Sequence, residues 1–116
     1  MDVFCTHIGI RSENKSAQID FLLEKITEIS MSSKQVLMGD FNLRDDTNEI
    51  GNVLVYFNDT AAEFGASPQA SIDYIFATGY QEITESHVII DMIPNIDNPA
   101  EFGSDHLPVV STLIFS

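Results

Sequence analysis

The chain has 116 residues, enough for one small domain with one core. It carries 18 acids against 5 bases, a formal net charge of −13, and from Asp45 onward there are 12 acids and no Lys or Arg. Such a surface repels phosphate backbones and argues against unaided nucleic-acid binding, although a bound divalent cation reverses that sign locally. The single cysteine, Cys5, excludes an internal disulfide and, in its apolar run, reads as a small buried hydrophobe. No apolar run is long enough to span a bilayer. Met1-Asp2 lacks the basic start of a signal peptide, so the compartment is open: cytoplasmic, or exported if a signal lies upstream.

In chain order, residues 3–8 (Val-Phe-Cys-Thr-His-Ile) predict a strand that starts at once, without a cap or lead-in. Termini are usually loose, so this abrupt start suggests that sequence is missing upstream. A polar loop over 9–16 follows. Ile19, Leu22, Leu23, Ile26 and Ile29 recur at helical spacing and predict a helix over 17–30 with one apolar stripe. A short link at 31–34 enters a strand at 35–38, which makes a βαβ unit, expected to be parallel. Gly39-Asp40-Phe41-Asn42 follows. If 40–42 stay extended, Asp40 and Asn42 project to one side at a strand end, although Gly, Asp and Asn are also ordinary turn residues.

Residues 43–51 are polar and acidic. The apolar run 52–58 is ambiguous between helix and strand, with helix favoured, and Asn58-Asp59-Thr60 caps a short helix over Ala61–Phe64. Strands are expected at 71–77, with one acid inside, at 83–90 and at 107–115. Between the last two, 91–104 is a long loop of the kind that often carries function.

Four polar clusters thus sit in or beside apolar β runs: Thr6-His7, Asp40 with Asn42, Asp73, and Asp105-His106. Each alone has an ordinary structural reading, as a core histidine, a turn or a strand cap. Together they read as a site. An acid between Ile72 and Tyr74 needs a partner if buried, and His106 is the natural one, since an Asp–His pair fixes the imidazole tautomer and favours its cationic form.

At these residues the sequence resembles the endonuclease/exonuclease/phosphatase superfamily of metal-dependent phosphodiesterases and phosphatases. The matching stretches are Thr6-His7, Gly39-Asp40-Phe41-Asn42, Ile72-Asp73-Tyr74-Ile75 and Ser104-Asp105-His106-Leu107-Pro108-Val109, in the family's order, with Gln18 and Leu22 also fitting its first-helix pattern. The resemblance implies an α/β (α+β) fold: the later half of a four-layered α/β/β/α sandwich, with a mixed sheet and helices on one face, over 1–116. It implies divalent-metal-dependent phosphoester hydrolysis. Asp40 would activate the attacking water or assist the leaving group, and Asn42 would orient it or hold a phosphate oxygen. His106, oriented by Asp73, would contact the scissile phosphate, with His7 as a second contact. Asp105 would help bind Mg²⁺ or Mn²⁺, and oxygen ligands suit either ion.

The family's earlier half, with its asparagine and metal-binding glutamate, has no counterpart in residues 1–6. The expectation for this chain alone is therefore weak metal binding and little turnover, and the alternative is an inactive fragment or α/β interaction module. An acidic cation-binding module has no EF-hand-like spacing to support it. The acidic balance favours a small phosphoester or lipid head group over nucleic acid. A sheet apolar on both faces, with one helix to cover it, is expected to expose a patch that a second copy would bury.

Overall fold

The computed structural model describes residues 1–65, 72–89 and 104–116. The elements run β1 (Asp2–His7), α1 (Ser12–Ile29), β2 (Gln35–Asp40), α2 (Asn48–Val53), β3 (Asn58–Asp59), α3 (Thr60–Phe64), β4 (Asp73–Thr78), β5 (Glu82–Val88) and β6 (Val109–Ile114). A four-stranded mixed sheet has the order β1-β2-β4-β3, and β5 and β6 form a separate antiparallel pair. The architecture is α+β.

The βαβ unit is present: β1 and β2 pair in parallel, from Asp2 opposite Gln35 to His7 opposite Asp40. β4 then pairs antiparallel to β2, which sets Leu37 opposite Phe76 and Asp40 opposite Asp73. Since strand side chains alternate, this register sorts the sheet into two faces. Phe4, Leu37, Tyr74 and Phe76 share the inner face. They join Ile19 and Ile26 of α1, and Phe41, in one buried cluster. Phe41 stands edge-on to Phe76 and Tyr74, with ring centroids 5.1 and 5.6 Å away, and Tyr74 stacks on Phe76 at 4.9 Å. The apolar stripe of α1 therefore covers one face, as its spacing predicts.

The other face carries Val3, Cys5 and His7 from β1, Met38 and Asp40 from β2, and Asp73 and Ile75 from β4. It is largely open at the β1 edge: Val3 is 51% exposed. Cys5 is exposed too, contrary to the expected buried residue, because it points to this face and away from α1.

The structure corrects several boundaries. Helix α1 begins at Ser12, ahead of its apolar stripe. Its polar first turn carries no periodicity but is tied down by Lys15, whose Nζ donates to the Asn42 carbonyl at 2.6 Å. The helix favoured over 52–58 instead spans Asn48–Val53, capped by Thr47, whose hydroxyl accepts from Ile50 N. Only Ile50, Val53 and Phe57 are buried there, whereas Leu54, Val55 and Tyr56 form an exposed turn. The strand expected at 107–115 does not join the main sheet. It becomes β6 and pairs with β5, from Val109 opposite Val88 to Ile114 opposite Glu82.

Other expectations stand. Asp59 caps α3 by accepting from Ala61 N at 3.1 Å, and Gly65 ends it with φ +82°. The buried Thr60 hydroxyl then links the two sheets, bonding the Ile75 carbonyl at 2.8 Å and the Ser111 hydroxyl at 2.7 Å. The expected loop at 91–104 lies, except for Ser104, outside the described residues.

Candidate functional site

The site lies where β1, β2 and β4 end on the open face. β1 delivers His7 and β2 delivers Asp40 directly beside it. His7 Nε2 is 3.5 Å from Asp40 Oδ2. Gly39 sets that spacing. It has φ +150°, and a Cβ there would land on the Thr6 carbonyl oxygen. Only glycine lets the two backbones approach so closely.

β4 brings Asp73 opposite Asp40. Two carboxylates face each other across the strands, an unfavourable pair unless compensated. His106 supplies the compensation. The Ser104 hydroxyl accepts from His106 N at 3.1 Å and shapes the turn before β6. The ring then places Nδ1 2.7 Å from Asp73 Oδ2 and Nε2 3.7 Å from Asp40 Oδ2. The hydrogen bond to Asp73, and then its negative charge, hold the His106 pKa above the usual 6.5, with smaller contributions from Asp40 and Asp105. Asp105 itself is 92% exposed, with Oδ1 3.8 Å from His106 Nε2.

Asn42 follows the turn reading and not the extended one. The strand ends at Asp40. Asn42 takes the left-handed conformation, φ +48°, and its N–H donates to Asp40 Oδ1 at 2.9 Å. Its side-chain Nδ2 donates to the Ile8 carbonyl at 2.6 Å. Asn42 therefore braces Asp40 through the turn and ties the ends of β1 and β2 together.

A cleft of about 450 Å³ adjoins these groups, with Cys5, Met38, Ile75, Leu107 and Pro108 among its walls beside Asp40, Asp73 and His106. The apolar wall was legible in the alternation of β1, β2 and β4 but carries no motif. Lys15 also escaped sequence reading: it is the base that reaches the 40–42 turn, and nothing in its surroundings in sequence marks it.

Asp40, Asp73 and His106 offer ligand atoms within 4.8 Å of one another. For Mg²⁺, Asp40 and Asp73 are the carboxylates among the cleft's walls, and the exposed Asp105 stands beside His106. That set fits a hydrated, weakly held ion. The donor set also includes imidazole nitrogens, which suit other metals better.

A mixed sheet backed by one long helix, with acids and histidines gathered at its strand ends, defines a fold shared with known structures. A conserved protein of unknown function from Enterococcus faecalis V583 superposes with a TM-score of 0.75 at 21% identity, over 97% of this chain and 49% of its own. An endonuclease/exonuclease/phosphatase from Bacteroides vulgatus superposes with a TM-score of 0.65 at 19% identity, over 97% of this chain and 48% of its own. Likeness at this identity establishes a distant fold relationship. The chain spans about half the length of both. No family model and no curated protein matches the sequence. No helix among the described residues is long and apolar enough to cross a membrane.

Proposed function

We propose that this chain carries the Asp/Asn/His part of a divalent-metal-dependent phosphoester hydrolase site, in the later half of an endonuclease/exonuclease/phosphatase-like domain. The observation that carries the reading is the Asp73–His106–Asp40 relay, with His7 beside it. Asp73 holds the Nδ1 proton of His106 and favours the imidazolium, whose Nε2–H is then a cationic donor for a phosphate oxygen. Asp40, braced by the Asn42 N–H, is placed to accept a proton from an attacking water. His7 is the second phosphate contact.

Three carboxylates against two imidazoles leave this corner acidic, so a phosphoester enters only with a cation to offset the charge. A bound Mg²⁺ or Mn²⁺ would polarise the phosphate, and Asp105 and Asp40 are the oxygens that would hold it. The acidic chain favours a small phosphoester or lipid head group over a polynucleotide. A second reading, an inactive α/β interaction module, draws on the half-length match and on the open sheet face.

The test is turnover of a generic phosphodiester with Mg²⁺ or Mn²⁺, together with NMR shifts of the His7 and His106 rings on phosphodiester addition. Residues 1–116 alone are expected to turn over slowly or not at all. Ring shifts that require the metal, and loss of any turnover in Asp40→Ala, support the hydrolase reading. Silent rings at millimolar ligand and metal, or turnover indifferent to Asp40→Ala, overturn it.

A further inference from the structure

We propose that the groove between α1 and the 54–56 turn docks a basic amphipathic helix of a partner protein. α1 covers the inner face of the main sheet, whereas Asp40, Asp73 and His106 gather on the other, so the inference does not rest on the hydrolase reading. The groove holds about 600 Å³, with Leu23, Val55 and Tyr56 as apolar lining and Asp20, Glu24 and Glu28 as its acids. A smaller cleft of about 270 Å³ shares Leu23 and Tyr56 with it and extends it along α1 to Ser30. The apolar lining is both exposed and held in place. Val55 is 74% and Tyr56 59% exposed. Their turn is fixed by Leu54 N donating to the Ile50 carbonyl and by Tyr56 N and Phe57 N donating to the Val53 carbonyl, each at 3.0 Å. Val53 and Phe57, on either side of the turn, are buried anchors. An apolar surface ordered in advance loses little entropy on binding, and Tyr is a favoured anchor in interfaces.

Charge selects the occupant. Asp20, Glu24 and Glu28 follow one another at every fourth residue of α1, which sets them on one side of the helix at a rise of about 6 Å each. A partner helix with Lys or Arg at the same spacing meets that row, while its apolar side meets Leu23, Val55 and Tyr56. Lys25 already engages Glu28, with Nζ 3.0 Å from Oε2, so Asp20 and Glu24 carry most of the attraction. The same charge works against other occupants. With a formal net charge of −13, the chain is repelled by an anionic membrane or a polynucleotide. A second copy, docked helix to helix, would bring like charges together.

The test uses residues 1–116 and a fluorescein-labelled peptide of Leu and Lys, with Leu at helical spacing, read by fluorescence anisotropy. Binding is expected at micromolar concentration and is expected to weaken as salt is raised. Tyr56→Ala and Glu24→Lys, both at exposed positions, are each expected to weaken it roughly tenfold or more. Asp45→Lys makes the same change of charge outside the groove and is expected to bind close to wild type; circular dichroism confirms that each variant folds. Any of five results would overturn the proposal. The first is no binding at millimolar peptide. The second is an equal loss in Asp45→Lys and Glu24→Lys, which would reduce the attraction to net charge. The third is equal binding of a proline-broken peptide of the same composition, which would remove the helix. The fourth is capture by phosphatidylserine vesicles that Tyr56→Ala abolishes, which would make the groove a membrane contact. The fifth is self-association that Tyr56→Ala abolishes and Val3→Lys does not, which would assign the groove to a second copy. None of these bears on whether a phosphodiester moves the His7 and His106 rings, so the two readings fail separately.

Discussion

His106→Gln isolates the electrostatic role of the imidazolium. Glutamine keeps roughly the volume and can still donate to Asp73, but it carries no charge. In the wild type the ring makes a charge-assisted bond of 2.7 Å and stands between two carboxylates paired across β2 and β4. A charged hydrogen bond exceeds a neutral one by about 1 kcal/mol. Unmasking the facing acids adds a few tenths of a kcal/mol. The ring is 35% exposed, so solvent screening trims the sum to about 1 kcal/mol. The pKa of His106 is raised by folding. The stabilisation is therefore fully present below the ordinary value of 6.5 and is lost as pH rises through the raised folded value. Urea unfolding near pH 6 should show a loss of about 1 kcal/mol, or about 4 °C in melting temperature. At pH above that raised value the two proteins should unfold together. A loss of equal size at both pH values would mean that His106 acts through packing, and the account of its charge would fail.

Three further outcomes are expected. Gly39→Ala should cost about 2 kcal/mol or more, since the positive φ and the Thr6 carbonyl both oppose a Cβ; an unchanged denaturation midpoint would show that β1 yields easily. Phe76→Ala, which empties the centre of the aromatic cluster, should cost about 3–5 kcal/mol in the same measurement, and a value below about 1 kcal/mol would displace the core from this face. Sedimentation velocity at micromolar protein should show a dimer that Val3→Lys, on the open face, returns to monomer; a monomeric wild type would mean that something within one chain covers the sheet.

The parts of this fold that could be read from sequence are those with local periodicity. Ile19 to Ile26 fix the buried side of α1, and Val36–Met38 after a short link fix a parallel βαβ. Asp59 announces its cap because an N-cap is a contact between close neighbours. Asp73 with His106 was legible for another reason: an acid inside an apolar strand demands a partner, and few candidates exist. At Asn42 the turn that Gly, Asp and Asn allow prevails over the extended alternative, because a left-handed residue breaks the alternation that extended reasoning assumes. Its bond to the Ile8 carbonyl crosses between strands and leaves no trace in spacing. The pairing of β6 with β5 was likewise hidden, since apolar strands look alike whichever neighbour they choose. Leu54–Tyr56 misled for the opposite reason, being apolar yet exposed.

The direct opposition of Asp40 and Asp73 sets stability against the proposed chemistry at this corner of the sheet. The four central pairs of β2 and β4 join apolar residues or glycine and the like-charged pair closes the ladder at its end, so that pair is the position where substitution gains stability most readily. An amide at position 40 would relieve the repulsion, keep the turn bond to Asn42 N–H, and remove the carboxylate that the proposed hydrolysis needs. A search for more stable variants of this protein would thus drift toward Asp40→Asn, and under the proposed hydrolase reading that drift would cost activity.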